Sequence, residues 1–433
     1  MFKAIGTRLA ALVLVGLAGA LPAARLEAAG FALFEQSSKG NAMAGAFTAT
    51  AEDPSAMFYN PAGNAFIDET IVDGSIFGVL RPTARLDGLN PFPGEGYSAN
   101  MHKPLYWFGN MYFVTSLSKD FKVSLGMWSP NGLGVPWQNP DTFRGRVINQ
   151  RTDLRQLAVS AQFAWKVSDA IAIGGGPEVR FTDVKLSRNV QAVNPFTQRV
   201  QDIAHLSLIS TGTPIKVTWT AGMLIKPCDR LRFGISYHAH VDVDLEGPAQ
   251  FSQIATGSPQ FDAAVSTLLP FGTNPTGRTT LQFPSLTAFG VAYDVTPNLT
   301  LAVDGNYVTW KVFDQTVIRI EGLPDSVLPH YWENTWAVRV GALYKGKKGW
   351  LGAGFVYDQT PQPDADASPF LPDNNRTGVT IGAGFNVLHG VQLNVSSLFL
   401  WFHERTITTN NDNFSATYKT FAILPSVGMK TTF

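Results

Sequence analysis

Between residues 231 and 246 the chain reads LRFGISYHAHVDVDLE. One parity carries Leu231, Phe233, Ile235, Tyr237, Ala239, Val241, Val243 and Leu245; the other carries Arg232, Gly234, Ser236, His238, His240, Asp242, Asp244 and Glu246. Period two with one apolar and one polar face predicts a strand between two unlike media. Leu157, Val159, Ala161, Phe163 and Trp165 alternate with polar or small neighbours in the same way, as do Val391, Leu393, Val395 and Phe399. The pattern predicts fourteen strands, near 70–87, 105–117, 120–130, 151–166, 170–188, 215–226, 229–246, 278–295, 298–321, 334–345, 348–358, 376–387, 390–403 and 414–433. The 298–321 run reads as one strand or two; it is taken as one because closed bacterial barrels have an even number.

The connections alternate in length. Ser118-Lys119, 167–169, Pro227-Cys228, Thr296-Pro297, Gly346-Lys347 and Leu388-His389 are short, whereas 88–104, 131–150, 189–214, 247–277, 322–333, 359–375 and 404–413 are long. A transmembrane barrel sorts its turns in this way, short at one end and long at the other. In hydrocarbon every backbone polar group must pair within the protein, so the strands close on themselves. The apolar parity is then expected to face lipid and the polar parity the lumen. Tyr106, Trp107, Trp128, Trp165, Trp336, Tyr344, Trp350 and Trp401, near strand ends, are expected in interfacial girdles.

Before the first strand, GNAMAGAFTATAEDPSAMFYNPAG (40–63) has no strand alternation. A fourteen-strand lumen leaks unless it is filled, so residues 29–69 are expected to fold back inside as a plug. Small residues there allow close backbone contact, and Phe31, Phe34, Phe47, Met57, Phe58 and Tyr59 argue against a disordered leader. The predicted fold is all-β: a fourteen-stranded antiparallel transmembrane β-barrel over 70–433 with the N-terminal plug in its lumen.

Composition removes other classes. Lys plus Arg equals Asp plus Glu, 33 each, so nothing favours a nucleic-acid partner. Only 15% of residues are charged, low for a water-soluble surface. Lys3, Arg8 and the apolar Leu9 to Leu21 form a secretory signal, with cleavage expected after Ala28. Cys228 is the single cysteine, so no internal disulfide framework exists.

Candidate chemistry is sparse. His238, His240 and Asp242 share a strand parity and could hold a metal, but lumen-lining polar residues explain them as well. No HExxH, GxSxG or P-loop is present. Neither a cofactor nor a resident metal is expected, and the chain reads as no enzyme. Arg180 on the fifth strand shares the inward parity with Glu178 and is expected to pair with a lumen carboxylate or meet a ligand. Asp304 and Arg339, on adjacent strands at similar distance from their turn, are expected to form a cross-strand ion pair. In the third strand Gly126 is the candidate for a kink, with Pro130 to Gly134 read as a turn at the strand end.

AGFALFEQSSKGNAMAGAFTATAEDPSAMFYNPAG, SPNGLGVPW, FPSLTAFGVAYDVTPNLTLAVDGNYVTWKVF and WAVRVGALYKGKKGWLGAGFVYDQTPQPD with LPDNNR resemble the FadL family. These are outer-membrane transporters for long-chain fatty acids and, in the toluene-type branch, aromatic hydrocarbons. The resemblance covers essentially the whole chain after the signal. It implies a monomeric barrel with a hatch that includes Asn60, Pro61 and Ala62, and lateral exit of cargo near an inward kink in the third strand. It implies a capture groove in the two longest loops. There the candidates are Phe196, Ile203 and Leu206, then Phe251, Ile254, Phe261, Leu268, Leu269 and Phe271. Fatty-acid members carry a basic residue just before the tenth strand; here DSVLPHYW offers only His330, which favours a neutral hydrocarbon. The partners expected are hydrophobic small molecules, outer-membrane lipid and lipopolysaccharide, and the barrel assembly machinery, whose signal the terminal Phe433 resembles. A general diffusion porin and an outer-membrane lipid-modifying enzyme are the alternatives; a porin has no use for a plug.

Overall fold

A computed structural model describes residues 30–102, 105–211 and 214–433. The expected signal, 1–28, lies outside them. Fourteen antiparallel wall strands close into a barrel. In order they are Ile71–Gly88, Tyr106–Ser116, Phe121–Trp128 continued by Gly132–Pro136, Arg151–Lys166, Ile171–Asn194, Ile215–Cys228, and Leu231–His238 continued by Val241–Gln253. Then come Thr276–Phe283 continued by Leu286–Thr296, Leu299–Val308, Thr335–Gly346, Gly349–Asp358, Arg376–Leu388, Val391–Phe402 and Ala416–Thr432. Closure is first strand on last, from Ile71 opposite Thr432 to Gly88 opposite Ala416.

The ninth strand shows why these sequences fold this way. Leu301 and Val303 point outward, 44% and 50% exposed, while Thr300 and Asp304 are buried inside. Apolar groups thus meet lipid, and polar groups meet the lumen contents. Trp165, Trp336, Tyr344 and Trp401 lie outside as girdle residues do, but Tyr106, Trp128 and Trp350 are buried.

Four expectations are corrected. The run 298–321 is not one strand: it breaks at the 3-10 turn Trp310–Val312, and Gln315–Ile320 joins Ser326–Pro329 and Thr276–Phe283 above the wall. The loop 189–214 is largely a hairpin, because the fifth strand runs on to Asn194 and pairs with Arg199–Ile209. The loop 247–277 holds a strand end and the helix Pro259–Leu268. The alternation over 231–246 does not keep one face outward. His238 pairs with Leu286 and Val241 with Phe283, leaving Ala239-His240 and Pro284-Ser285 outside the ladder. Across that break the faces exchange: Phe233 is exposed below it, whereas Asp242, Asp244 and Glu246 are exposed above it and Val243 and Leu245 are buried. Asp244 pairs outside with Lys216 at 2.7 Å, and Glu246 with Arg278 at 3.0 Å. Charges of this density do not face hydrocarbon, so the bilayer ends at this break.

Residues 30–70 occupy the lumen. They contain the helices Ser38–Ala42 and Ala56–Tyr59 and the 3-10 turn Pro61–Phe66. Nearly all are buried. Wall side chains take up the backbone groups that these short elements leave open. Gln162 donates to Met57 O at 3.0 Å, Ser236 to Tyr59 O at 2.8 Å, His238 Nε2 to Phe58 O at 2.8 Å and Thr380 to Ala42 O at 2.9 Å. Asn60 acts at the turn itself. Its Oδ1 accepts from Ala62 N at 3.2 Å, and its Nδ2 donates to Thr48 O at 2.9 Å and to the wall carbonyl of Met223 at 3.0 Å. Close approach demands glycine in the wall here: a Cβ on Gly222 would sit 2.2 Å from Asn60 Oδ1. Pro61 and Ala62 press on the wall at Gly174 in the same way.

Candidate functional site: an apolar cavity and a broken wall

The third wall strand leaves the ladder at Ser129-Pro130-Asn131. Gly126 is not the kink. It keeps regular partners, Tyr112 and Ser160, and its missing side chain makes room for Met57 of the plug. At 129–131 the chain turns inward and pairs with the plug instead. Leu33 N donates to Pro130 O at 2.9 Å, Gly132 N to Phe31 O at 2.8 Å, and Gln36 Nε2 to Ser129 O at 2.7 Å. Proline supplies no donor to a ladder, so a break here is cheap. Below the break Met111 pairs with Met127. Above it His102 N donates to Pro136 O at 2.8 Å. Among the described residues no ladder bond joins the two strands between those levels, so their ladder is interrupted there. Leu105 stands at its outer side, 62% exposed.

Above the plug lies an apolar cavity of about 120 Å³. Phe31 forms its floor, and Leu133, Leu154, Leu186, Leu245, Leu281 and Phe313 are among its walls. Leu133 belongs to the third strand just past the kink, so the cavity abuts the interrupted ladder. The face exchange at 239–240 is what turns Leu245 inward to line it.

A second, polar compartment of about 320 Å³ adjoins it, sharing Leu186, Ile318, Leu328 and Phe370. Arg188, His330, Asp366, Ser368, Asn411 and Asp412 give it polar groups. His330 is committed to the framework: Nδ1 meets Asp366 at 3.0 Å, Nε2 meets Thr316 at 3.0 Å, and its ring stacks on Phe313. Arg188 is not. The carboxylate acting on it is Asp412, with which it forms no ion pair among the described residues. Arg188 therefore offers a guanidinium beside the apolar cavity. Nearby, in the loop before the twelfth strand, Asp373 accepts from Gly30 N at 3.0 Å and from Thr360 at 2.6 Å and anchors the start of the plug. Burial pushes its carboxyl above the ordinary range, against the pull of Arg376.

The other candidates fall elsewhere. Arg180 is buried and donates to Glu178 at 2.6 Å and to Gln156 at 3.4 Å, so it holds the lumen together. Asp304 and Arg339 do sit opposite each other in register, but they form no ion pair. Asp304 accepts from Thr48 N at 2.8 Å and Arg339 donates to Ala44 O at 2.8 Å, so each grips plug backbone instead. None of the nine loop residues proposed for a capture groove lines the apolar cavity. Leu206, Phe251, Leu269 and Phe271 pack into one cluster, and Ile203 and Phe261 form another against it. Ile254 is half-buried, while Phe196 and Leu268 stand in solvent at 64% and 68% exposure. His238 faces the lumen and His240 does not, so the three metal candidates share no face; among the described residues no cluster suits a metal ion.

Comparison with known proteins fits this geometry. Residues 19–433 match the family model described as outer membrane protein transport protein (OMPP1/FadL/TodX). The chain belongs to this family. It is 22% identical over 418 residues to the long-chain fatty acid transport protein of Escherichia coli O6:H1, covering 89% of this chain and 90% of that protein. It is 22% identical to outer membrane protein P1 of Haemophilus influenzae, covering 93% of each. Among solved structures, a Pseudomonas aeruginosa FadL homologue superposes with a TM-score of 0.80 at 21% identity, over 93% of this chain and 99% of that one. The Pseudomonas putida toluene transporter TodX gives 0.71 at 17%, over the same shares. This FadL-family chain is thus an outer-membrane transport protein built as a β-barrel. Its short turns face the periplasm, and its long connections, with the two compartments, face outward.

Proposed function

We propose that the cargo is a long-chain carboxylic acid, that it binds with its chain in the apolar cavity and its carboxylate toward Arg188, and that it leaves sideways through an opening beside the kinked third strand. The observation that carries this reading is the adjacency of an apolar compartment, a guanidinium without an ion pair and a gap in the ladder. Each CH₂ removed from water contributes about 0.8 kcal/mol, so eight of them contribute roughly 6 kcal/mol. Sideways exit spares that chain a return to water. The relatives named for fatty acid transport support the class of cargo. No catalytic step is part of this reading, and one closed barrel suffices, so the working unit is a monomer.

Position 105 tests the route. With Leu105 replaced by a benzophenone amino acid, a labelled long-chain fatty acid bound to the protein is expected to crosslink there several-fold more than at Leu351, an equally exposed position on the far wall. Equal labelling at both positions would mean that cargo reaches the bilayer by some other path.

A further inference from the structure

The polar compartment is larger than a carboxylate needs. At about 320 Å³ it has room for roughly ten water molecules. The head of a plain fatty acid is a single carboxylate. The compartment's side chains also carry both signs of charge. Arg188 enters from the extended fifth strand, and Asp412 from the connection between the thirteenth and fourteenth strands. That connection is fastened to the loop before the twelfth strand: Asn411 N donates to Ala365 O at 2.8 Å, and Asn410 Nδ2 donates to Ala367 O at 2.6 Å. The two acids here are not equivalent. Asp366 is committed, because it meets His330 at 3.0 Å and accepts from Trp332 Nε1 at 2.7 Å. Asp412 forms no ion pair among the described residues. Burial pushes its carboxyl above the ordinary range and Asp366 adds to this, while Ser368, Arg188 and His330 pull the other way. Beside it, the side-chain amide of Asn411 has no partner among the described residues.

We infer that the compartment is built for a head that carries a hydrogen-bond donor as well as a carboxylate, and that the preferred cargo is a long-chain fatty acid joined through an amide to a small amino acid. The inference rests on the carboxylic-acid reading above and narrows it. In such a conjugate the carboxylate meets Arg188. The amide N–H, one carbon away, donates to Asp412, and the amide carbonyl faces Asn411. The alkyl chain passes the shared residues Leu186, Ile318, Leu328 and Phe370 into the apolar cavity. A plain fatty acid answers Arg188 alone. It brings no donor to Asp412 and places a second negative charge in the same compartment, which weakens binding. A carboxylate that has lost part of its water gains from a new donor, and such charge-assisted bonds are the strong ones. A site that bonds a polar group of its ligand discriminates against the analogue that lacks it.

Binding of three probes to the full-length protein tests this: palmitate, N-palmitoylglycine, and N-palmitoylsarcosine, which has a methyl group in place of the amide hydrogen. N-palmitoylglycine is expected to bind about tenfold more tightly than palmitate, and N-palmitoylsarcosine no more tightly than palmitate. Asp412→Leu is expected to erase the preference for the glycine conjugate and to tighten palmitate binding, because the like charge is gone. Arg188→Ala is expected to weaken palmitate and the glycine conjugate together. Equal affinity for all three probes, with the acids still weakened by R188A, would overturn the conjugate and leave the carboxylic-acid reading standing. A sarcosine conjugate bound as tightly as the glycine one would overturn Asp412 as the acceptor. Affinities untouched by R188A would overturn the carboxylic-acid reading and this inference with it.

Discussion

Removing residues 29–63 should convert this protein from a barrel that scarcely passes ions into an open pore, with single-channel conductance in a planar bilayer rising about tenfold or more. The magnitude follows from how the lumen is filled. Gly40 through Phe58 are almost entirely buried, and wall groups from the fourth, seventh, ninth, tenth and twelfth strands bond to their backbone. Nothing else among the described residues occupies that cross-section. Lys39 and Glu52 of the plug and Lys345 of the wall add a charged seal toward the short-turn end, with Lys39 and Glu52 3.3 Å apart. The deletion strands partners such as Arg339, Asp304 and His238, but in a water-filled lumen these are solvated rather than orphaned. The wall loses its bonds to the plug at 129–132 but keeps its strand-to-strand ladders, so the barrel should still assemble. Conductance unchanged by the deletion would mean that the lumen is closed by something other than these residues.

The second large effect is expected at Arg188. Replacing it with alanine should weaken binding of a long-chain fatty acid ten- to hundredfold, about 1.5–3 kcal/mol for a charge-assisted bond to the carboxylate. Binding of a neutral aromatic hydrocarbon such as toluene should stay within about twofold, because the apolar cavity is untouched. The contrast between the two probes separates loss of a head-group partner from loss of packing. Equal weakening of both would show that Arg188 supports the fold of the cavity. No change in either would leave the neutral hydrocarbon as the better reading of the cargo, which is where the absence of a basic residue before the tenth strand points.

The wall was legible in the chain because lipid and lumen impose opposite demands on alternate residues, and short turns alternate with long connections all the way round. What was not legible is where that rule changes. The alternation from Leu231 to Glu246 runs unbroken in sequence, yet the faces exchange at Ala239-His240, because above the bilayer the outward side meets water. The run of acids at Asp242, Asp244 and Glu246 was the available sign. At the third strand, glycine drew attention to position 126, while the kink follows Pro130, where a ladder bond was already absent. Asp304 and Arg339 were matched correctly across two strands but given each other as partners. The path of the plug between them, which supplies the true acceptor and donor, leaves no trace in local pattern. Arg188 shares the inward parity of Arg180, and unlike Arg180 it has no acid two residues away: Leu186 and Val190 flank it. That difference distinguishes a paired lumen arginine from one free to meet a ligand, and it could have been read from sequence.

The central claim is that cargo goes through the wall while the plug stays in place. Ser38 of the plug and Ser75 of the first wall strand have their hydroxyl oxygens 3.1 Å apart, close enough for a disulfide after substitution of both. In a Cys228→Ser background, the Ser38→Cys, Ser75→Cys protein should take up a long-chain fatty acid at the same rate when oxidised and when reduced. Uptake that stops on oxidation and returns on reduction would show that the plug must move out of the way, and would contradict sideways exit.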